Sequence, residues 1–122
     1  MTSIEIVAGE RRWTAHISDT PSANDFLAQL PLELTLKDFG GNEKIADLPR
    51  TLTRKDAPDA ITPKAGDIAF YAPWGNLAIF YRDGHHSPGL ILLGQIEGQA
   101  ATLAIEALMK VTIRQASALS GD

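Results

Sequence analysis

The side chains able to do chemistry fall into four groups. The loop DGHHSPG at 83–89 sets His85 and His86 beside Asp83. Imidazole and carboxylate ligate metals, but adjacent residues on extended chain point to opposite faces, so the two rings diverge. A metal centre without thiolate needs convergent N/O ligands, and His16 is the one further histidine. The spacing predicts solvated loop histidines and no bound metal.

The second group is Tyr71, Trp74, Asn76 and Tyr81, on and beside the segment PWGN at 73–76. Aromatic walls with a few polar tips are the usual lining of a small-molecule pocket, and equally of a core. Trp74 falls in a turn, where full burial is difficult, so it is the most informative of the four. The third group is the carboxylates Asp38, Glu43, Asp67 and Glu97. General acid–base work needs a partner within hydrogen-bond reach and a shifted pKa, and spacing alone shows neither. Asp38 precedes Gly-Gly, as a turn residue bonding its own backbone does. Asp67 follows Gly66 and opens a strand. The fourth is Arg54, a planar donor suited to a carboxylate or amide. There is no G-x-S-x-G nucleophile segment, and GGNEK lacks the Lys-Ser/Thr of a phosphate loop.

Composition narrows the classes. The 122 residues fit one domain spanning 1–122, and the hydrophobic fraction of 44% is that of a globular chain. The net charge is -4, and the eleven Lys and Arg residues form no stripe, which argues against a nucleic-acid partner. There is no cysteine, so disulfides and thiol catalysis are excluded. No apolar run approaches the ~20 residues of a membrane span, and the N-terminus lacks the pattern of a signal peptide. A soluble, cytoplasmic protein is expected. Nothing calls for a cofactor, and the oligomeric state is not readable.

The elements that must position these residues are mostly strands. Ile4 and Ile6 alternate with Ser3 and Glu5, and Trp13, Ala15 and Ile17 with Thr14, His16 and Ser18, giving a half-buried hairpin. Asp19 or Thr20 caps a helix opened by Pro21, with Ala23, Phe26, Leu27 and Leu30 on one face. Leu32, Leu34 and Leu36 define a third strand, broken by DFGGN at 38–42. Residues 43–65 read as a long surface connection with one short strand near 45–48 or 50–52. Ile68–Ala72 is apolar on both faces, so both are expected to be covered. PWGN turns the chain into Leu77–Tyr81, and Leu90–Ile96 follows the histidine loop, with Gly94 as a bulge. A second helix is expected over 99–109, with Ala101, Ala104, Ile105 and Leu108 on one face, then a strand over 111–115 and a tail, SALSGD. Seven or eight short strands joined by turns predict a closed antiparallel barrel, plugged by two helices.

The segments LPLELTLKDFGGNEKIADLP at 30–49, KAGDIAFYAPWGNLAIFY at 64–81 and SPGLILLGQIEG at 87–98 resemble the bacterial and archaeal cyclophilin-like proteins of unknown function. With the flanking pattern, the resemblance covers nearly the whole chain. It implies a mainly β fold, a closed eight-stranded cyclophilin-like antiparallel β-barrel capped by two helices. It does not carry over the catalytic residues of true cyclophilins, because neither a Phe-His-Arg segment nor the FxxQ-type pocket segment occurs.

The expectation is a barrel that binds a small molecule or peptide at its rim. That rim is formed by the 38–43 turn, the 50–54 loop and the PWGN turn, with Asp38, Glu43, Arg54, Tyr71, Trp74, Asn76 and Tyr81 as candidates. The alternatives are a divergent prolyl isomerase using Arg54 or Arg82 with Tyr71 or Phe80, and a module docking a protein partner by its barrel-edge turns.

Overall fold

A computed structural model describes residues 1–98 and 100–116. Its strands are β1 (Thr2–Ala8), β2 (Arg11–Ile17), β3 (Leu32–Phe39), β4 (Glu43–Asp47), β5 (Ala60–Ile61), β6 (Asp67–Tyr71), β7 (Asn76–Phe80), β8 (Ser87–Pro88), β9 (Leu90–Ile96) and β10 (Leu108–Gln115). Eight of them close a barrel in the order β1-β10-β3-β4-β7-β6-β9-β2, while β5 and β8 form a separate two-stranded ribbon. All strand pairs are antiparallel.

The interior is filled by the apolar halves of the alternating strands: Ile4 and Ile6, Trp13, Ala15 and Ile17, Leu32 and Leu36, Ile68 and Phe70, Leu77 and Ile79. Trp13 is 7% exposed, and its indole N–H donates to Thr102 Oγ1 at 2.7 Å. The β6–β7 side of the wall is also apolar outside. There Ile45, Ala69, Ala78, Phe80 and Leu90 form a second cluster, with Ile61 of the β5–β8 ribbon packed on it. This is the double-sided covering that the uninterrupted apolar runs of β6 and β7 require.

Helix α1 (Pro21–Leu27) begins as its sequence dictates. Thr20 is the N-cap, its hydroxyl accepting from Ala23 N–H at 3.2 Å, and Pro21 is the first helical residue. Ser22, Ala23 and Phe26 are its buried face. The helix is shorter than the expected 21–30, and the long connection after β4 ties onto it. Ser22 Oγ donates to the Thr53 carbonyl at 2.6 Å, and Asp25 accepts from Thr53 N–H at 2.7 Å. Leu52 of that connection enters the core.

The second expected helix is not formed as such. Ala100–Ile105 is a 3₁₀ helix, and β10 begins at Leu108. The register explains the difference. Leu108, Met109 and Lys110 pair with Lys37, Leu36 and Thr35 of β3, which takes the last residues of the expected helix into a strand. A 3₁₀ helix places residues i and i+3 on one line, and Ala100 and Leu103 are its buried pair. Leu108, assigned by α-helical spacing to the apolar face, is instead exposed. The SALSGD tail lies outside the described residues. Among the described residues, no helix is long and apolar enough to cross a membrane.

Gly94 is where β9 lies too close to β2 to admit a side chain. The register of β6 on β9 shifts between Ile68 and Ala69, so Leu93 is the extra residue of a bulge. A Cβ on Gly94 would stand 2.2 Å from the His16 carbonyl oxygen and 2.9 Å from Ile17 Cα.

Candidate functional site

The outer faces of β3, β4, β7, β6 and β9 are set by ladder register. Phe39 pairs with Glu43, and Glu43 with Phe80. Asp47 pairs with Asn76, Asn76 with Tyr71, and Tyr71 with Leu90. Two rows of large side chains thus cross the flank. Between them run Ile45, Ala78 and Ala69, also in register, and the two alanines are fully buried. Small residues between bulky rows leave a trough.

That trough holds a cavity of about 180 Å³, lined by Phe39, Glu43, Tyr71, Trp74, Asn76 and Phe80, with Ser87 and Leu90 at its far wall. Trp74 hangs over it from the turn between β6 and β7. Pro73 and Gly75, the latter at φ 68°, build that turn, and its backbone bonds run from Trp74 and Gly75 N–H to the Tyr71 carbonyl. The indole is 58% exposed. It meets Phe39 edge-on at 5.5 Å and 86°, and Tyr71 at 5.3 Å and 83°. A neighbouring hollow of about 370 Å³, which includes Lys37 and Asp47, lies against the same Phe39, Trp74 and Asn76.

Two polar groups give the cavity its character. Asn76 is 3% exposed, and its side-chain oxygen is buried with no hydrogen-bond partner among the described residues. A buried acceptor without a donor costs about 1–3 kcal/mol. Burial also raises the Glu43 carboxyl above its ordinary pKa, and the Asp38 carboxylate adds to the shift.

Asp38 and Tyr81 belong to a second group, at the barrel end. Tyr81 donates its phenol proton to Asp38 Oδ1. Gly41 N–H donates to Asp38 Oδ2 at 3.2 Å, as the turn reading expects. Lys44, buried inside the barrel, lies 3.6 Å from Asp38 and donates to the Glu106 carbonyl. The Tyr81 bond holds Asp38 below the usual carboxylate range against the opposing effect of burial, and Lys44 and Gly41 reinforce it. Burial, then the bond to Asp38, pushes the Tyr81 phenol up to about 12. The Arg82 guanidinium lies 5.7 Å over the Tyr81 ring. These charges answer one another and plug the barrel.

The structure therefore brings Glu43, Tyr71, Trp74 and Asn76 together, on the flank of the barrel rather than on its rim. Asp38 and Tyr81 do not line the cavity, although the Asp38 carboxylate is close enough to act on Glu43. Arg54 is exposed, on the connection that packs against α1, and lines neither hollow beside Trp74. Phe39 was missed by the sequence reading, yet it carried a signal. It continues the polar series Glu33, Thr35, Lys37, so it is an apolar residue on the solvent face of its strand. Ser87 and Leu90 carried none. Asp67 accepts from Lys64 N–H at 2.9 Å and from Gln95 at 3.2 Å, a local role in strand and turn. His86 pairs with Thr62 at 2.8 Å. Among the described residues, no three His, Asp or Glu side chains are grouped to hold a metal.

A closed eight-stranded antiparallel barrel with an aromatic flank cavity is the class that these observations define. The sequence pattern of the cyclophilin-like family matches residues 6–114, and the chain belongs to that family. It also resembles a hypothetical protein from Archaeoglobus fulgidus whose structure was determined in solution. The two share 14% identity and a TM-score of 0.66, over 94% of this chain and 95% of the other. That likeness is one of fold. No curated protein matches the chain.

Proposed function

We propose that the flank cavity beneath Trp74 is a binding site for a small molecule or a peptide side chain. The observation that carries this reading is the buried Asn76 oxygen without a donor, in a hollow walled by Phe39, Tyr71, Trp74 and Phe80. An apolar concavity with a few convergent polar atoms is the usual form of a ligand site. At about 180 Å³ the cavity is smaller than the roughly 300–1,000 Å³ of drug-sized sites, so it suits a head group or one side chain. Binding is favoured over prolyl isomerisation because neither Arg54 nor Arg82 lines the hollow.

The test is an amide NMR titration with a library of small amines, aromatic fragments and dipeptides. Shift changes should concentrate at Glu43, Tyr71, Trp74, Asn76 and Phe80, and should vanish in a folded Trp74→Ala variant. Changes centred on Arg54, or on the Asp38–Tyr81 end, would overturn the assignment.

A further inference from the structure

We propose that the cavity takes an alkylammonium cation that keeps at least one N–H, a class of ligand that rests on the binding reading above. Two features of the lining point there, and they are independent.

The first is the walls. Phe39 and Tyr71 stand nearly perpendicular to Trp74, and Phe80 closes the same space. Ring faces are electron-rich and attract cations, Trp most strongly. An alkylated ammonium spreads its charge over methyl or methylene groups, so it leaves water cheaply and packs against rings. A bare metal ion does neither.

The second is the sign of the polar atoms. The Glu43 carboxylate and the Asn76 side-chain oxygen are acceptors, and the latter is unpartnered. Ser87 Oγ spends its proton on the His85 carbonyl at 2.8 Å, which leaves lone pairs on that oxygen. Among the described residues, no Lys, Arg or His side chain lines this cavity. The nearby cations are engaged elsewhere: Lys44 inside the barrel, Arg82 against Tyr81 and the Gly41 carbonyl. Lys37 lines the hollow beyond the Phe39–Trp74 pair, together with Asp47. A carboxylate beside aromatic rings selects positive charge. The Asn76 oxygen adds a requirement that charge alone does not meet, because it needs a proton donor. A quaternary ammonium has none, whereas a primary, secondary or tertiary ammonium has at least one.

The cation has two possible sources, a free amine or an N-alkylated lysine side chain, and both have the same head group. The probes are protonated dimethylaminoethanol, its quaternary counterpart choline, and 3-methylbutan-1-ol, the neutral molecule of the same shape. Each is titrated into the full chain by calorimetry and amide NMR, in parallel with a short peptide carrying dimethyl-lysine. The tertiary amine should bind at least tenfold more tightly than the alcohol, and more tightly than choline. Glu43→Gln, which keeps the side-chain shape, should erase the preference for the cation over the alcohol. Tighter binding of the peptide assigns the cation to a side chain, and tighter binding of the free amine to a small metabolite; either supports the class. Equal binding of amine and alcohol would overturn this inference and leave the small-molecule reading standing. Equal binding of choline and the tertiary amine would overturn the bond to Asn76, and with it the class of cation. If no probe shifts any cavity residue, and the fragment library shifts none either, both readings fall together.

Discussion

Asp38 and Lys44 face each other directly across the β3–β4 ladder, with Oδ1 and Nζ 3.6 Å apart, and the lysine side chain has no solvent-exposed surface. Removing one member of a pair strands the other charge, and the cost is greatest where the stranded charge has no access to water. Loss of Asp38 strands the wholly buried Lys44, whereas loss of Lys44 leaves a partly exposed Asp38 that still accepts from Tyr81 and Gly41. Asp38→Ala should therefore destabilise the barrel by about 3 kcal/mol, and Lys44→Met by less than about 1 kcal/mol. Urea melts of the two variants decide it. Equal losses would show that Lys44 matters as a cation and not as a filler of the barrel end.

The pH dependence follows from the same group. Tyr81 has its folded pKa raised to about 12, above the ordinary phenol value of about 10. Its contribution is thus complete below pH 10 and is lost as pH rises through 12. In Tyr71→Phe, which leaves Tyr81 as the single tyrosine, phenolate absorbance should appear near pH 12. Asp38 runs the other way. Its folded pKa is lowered, chiefly by Tyr81, so its contribution is present above the unfolded value near 3.8 and is lost as pH falls through the folded one. Tyr81→Phe should lose less stability than the wild type over that acid range. A steeper acid loss in the variant would contradict the assignment.

The two tryptophans should differ sharply. Trp13 is a buried core residue with a bonded indole N–H, and Trp13→Ala should cost about 3–5 kcal/mol. Trp74 is mostly exposed and holds two edge-to-face contacts, each worth about 0.5–1.5 kcal/mol. Trp74→Ala should cost less than about 3 kcal/mol, and equal urea midpoints for the two variants would make Trp74 a core residue.

How far this was legible depended on whether one face or both of a strand were buried. In β1 and β2 only one face is buried, so the alternation around Ile4, Ile6, Trp13 and Ala15 gave both strand and face. In β4 the inward residue is Lys44 and the outward one Ile45. Hydrophobic alternation there points the wrong way round, and the segment looked irregular. The second helix failed for a related reason. Ala101, Ala104, Ile105 and Leu108 fit an α-helical face, but pairing of Leu108–Lys110 with β3 is a long-range demand invisible to local spacing. Within the site, the PWGN turn and its aromatic neighbours were legible as residues. Their meeting with Phe39 and Glu43 on the flank was not, because barrel closure brings β3 and β4 beside β7.

Gly94 gives a test of the barrel closure itself. A methyl group there meets the β2 backbone at His16 and Ile17, with the nearest atom at 2.2 Å, and backbone cannot swing aside as a flexible side chain can. Gly94→Ala should cost at least the roughly 1–3 kcal/mol of ordinary overpacking, although Gly→Ala within extended chain is otherwise favourable to stability. A thermal midpoint at or above that of the wild type would mean that β2 and β9 are not in the register described.

The wall carrying the cavity is clamped from both sides, by the barrel core within and by Ile61 and its ribbon without. Such a floor is preorganised, so the guest proposed above would find it already shaped. Adaptation falls to the indole of Trp74, which touches Phe39 and Tyr71 but is mostly exposed. The cost of ordering a guest is then chiefly the rotamer freedom of one side chain, about 0.5–1.5 kcal/mol. Recognition on this flank would be decided by how well a ligand immobilises a single ring.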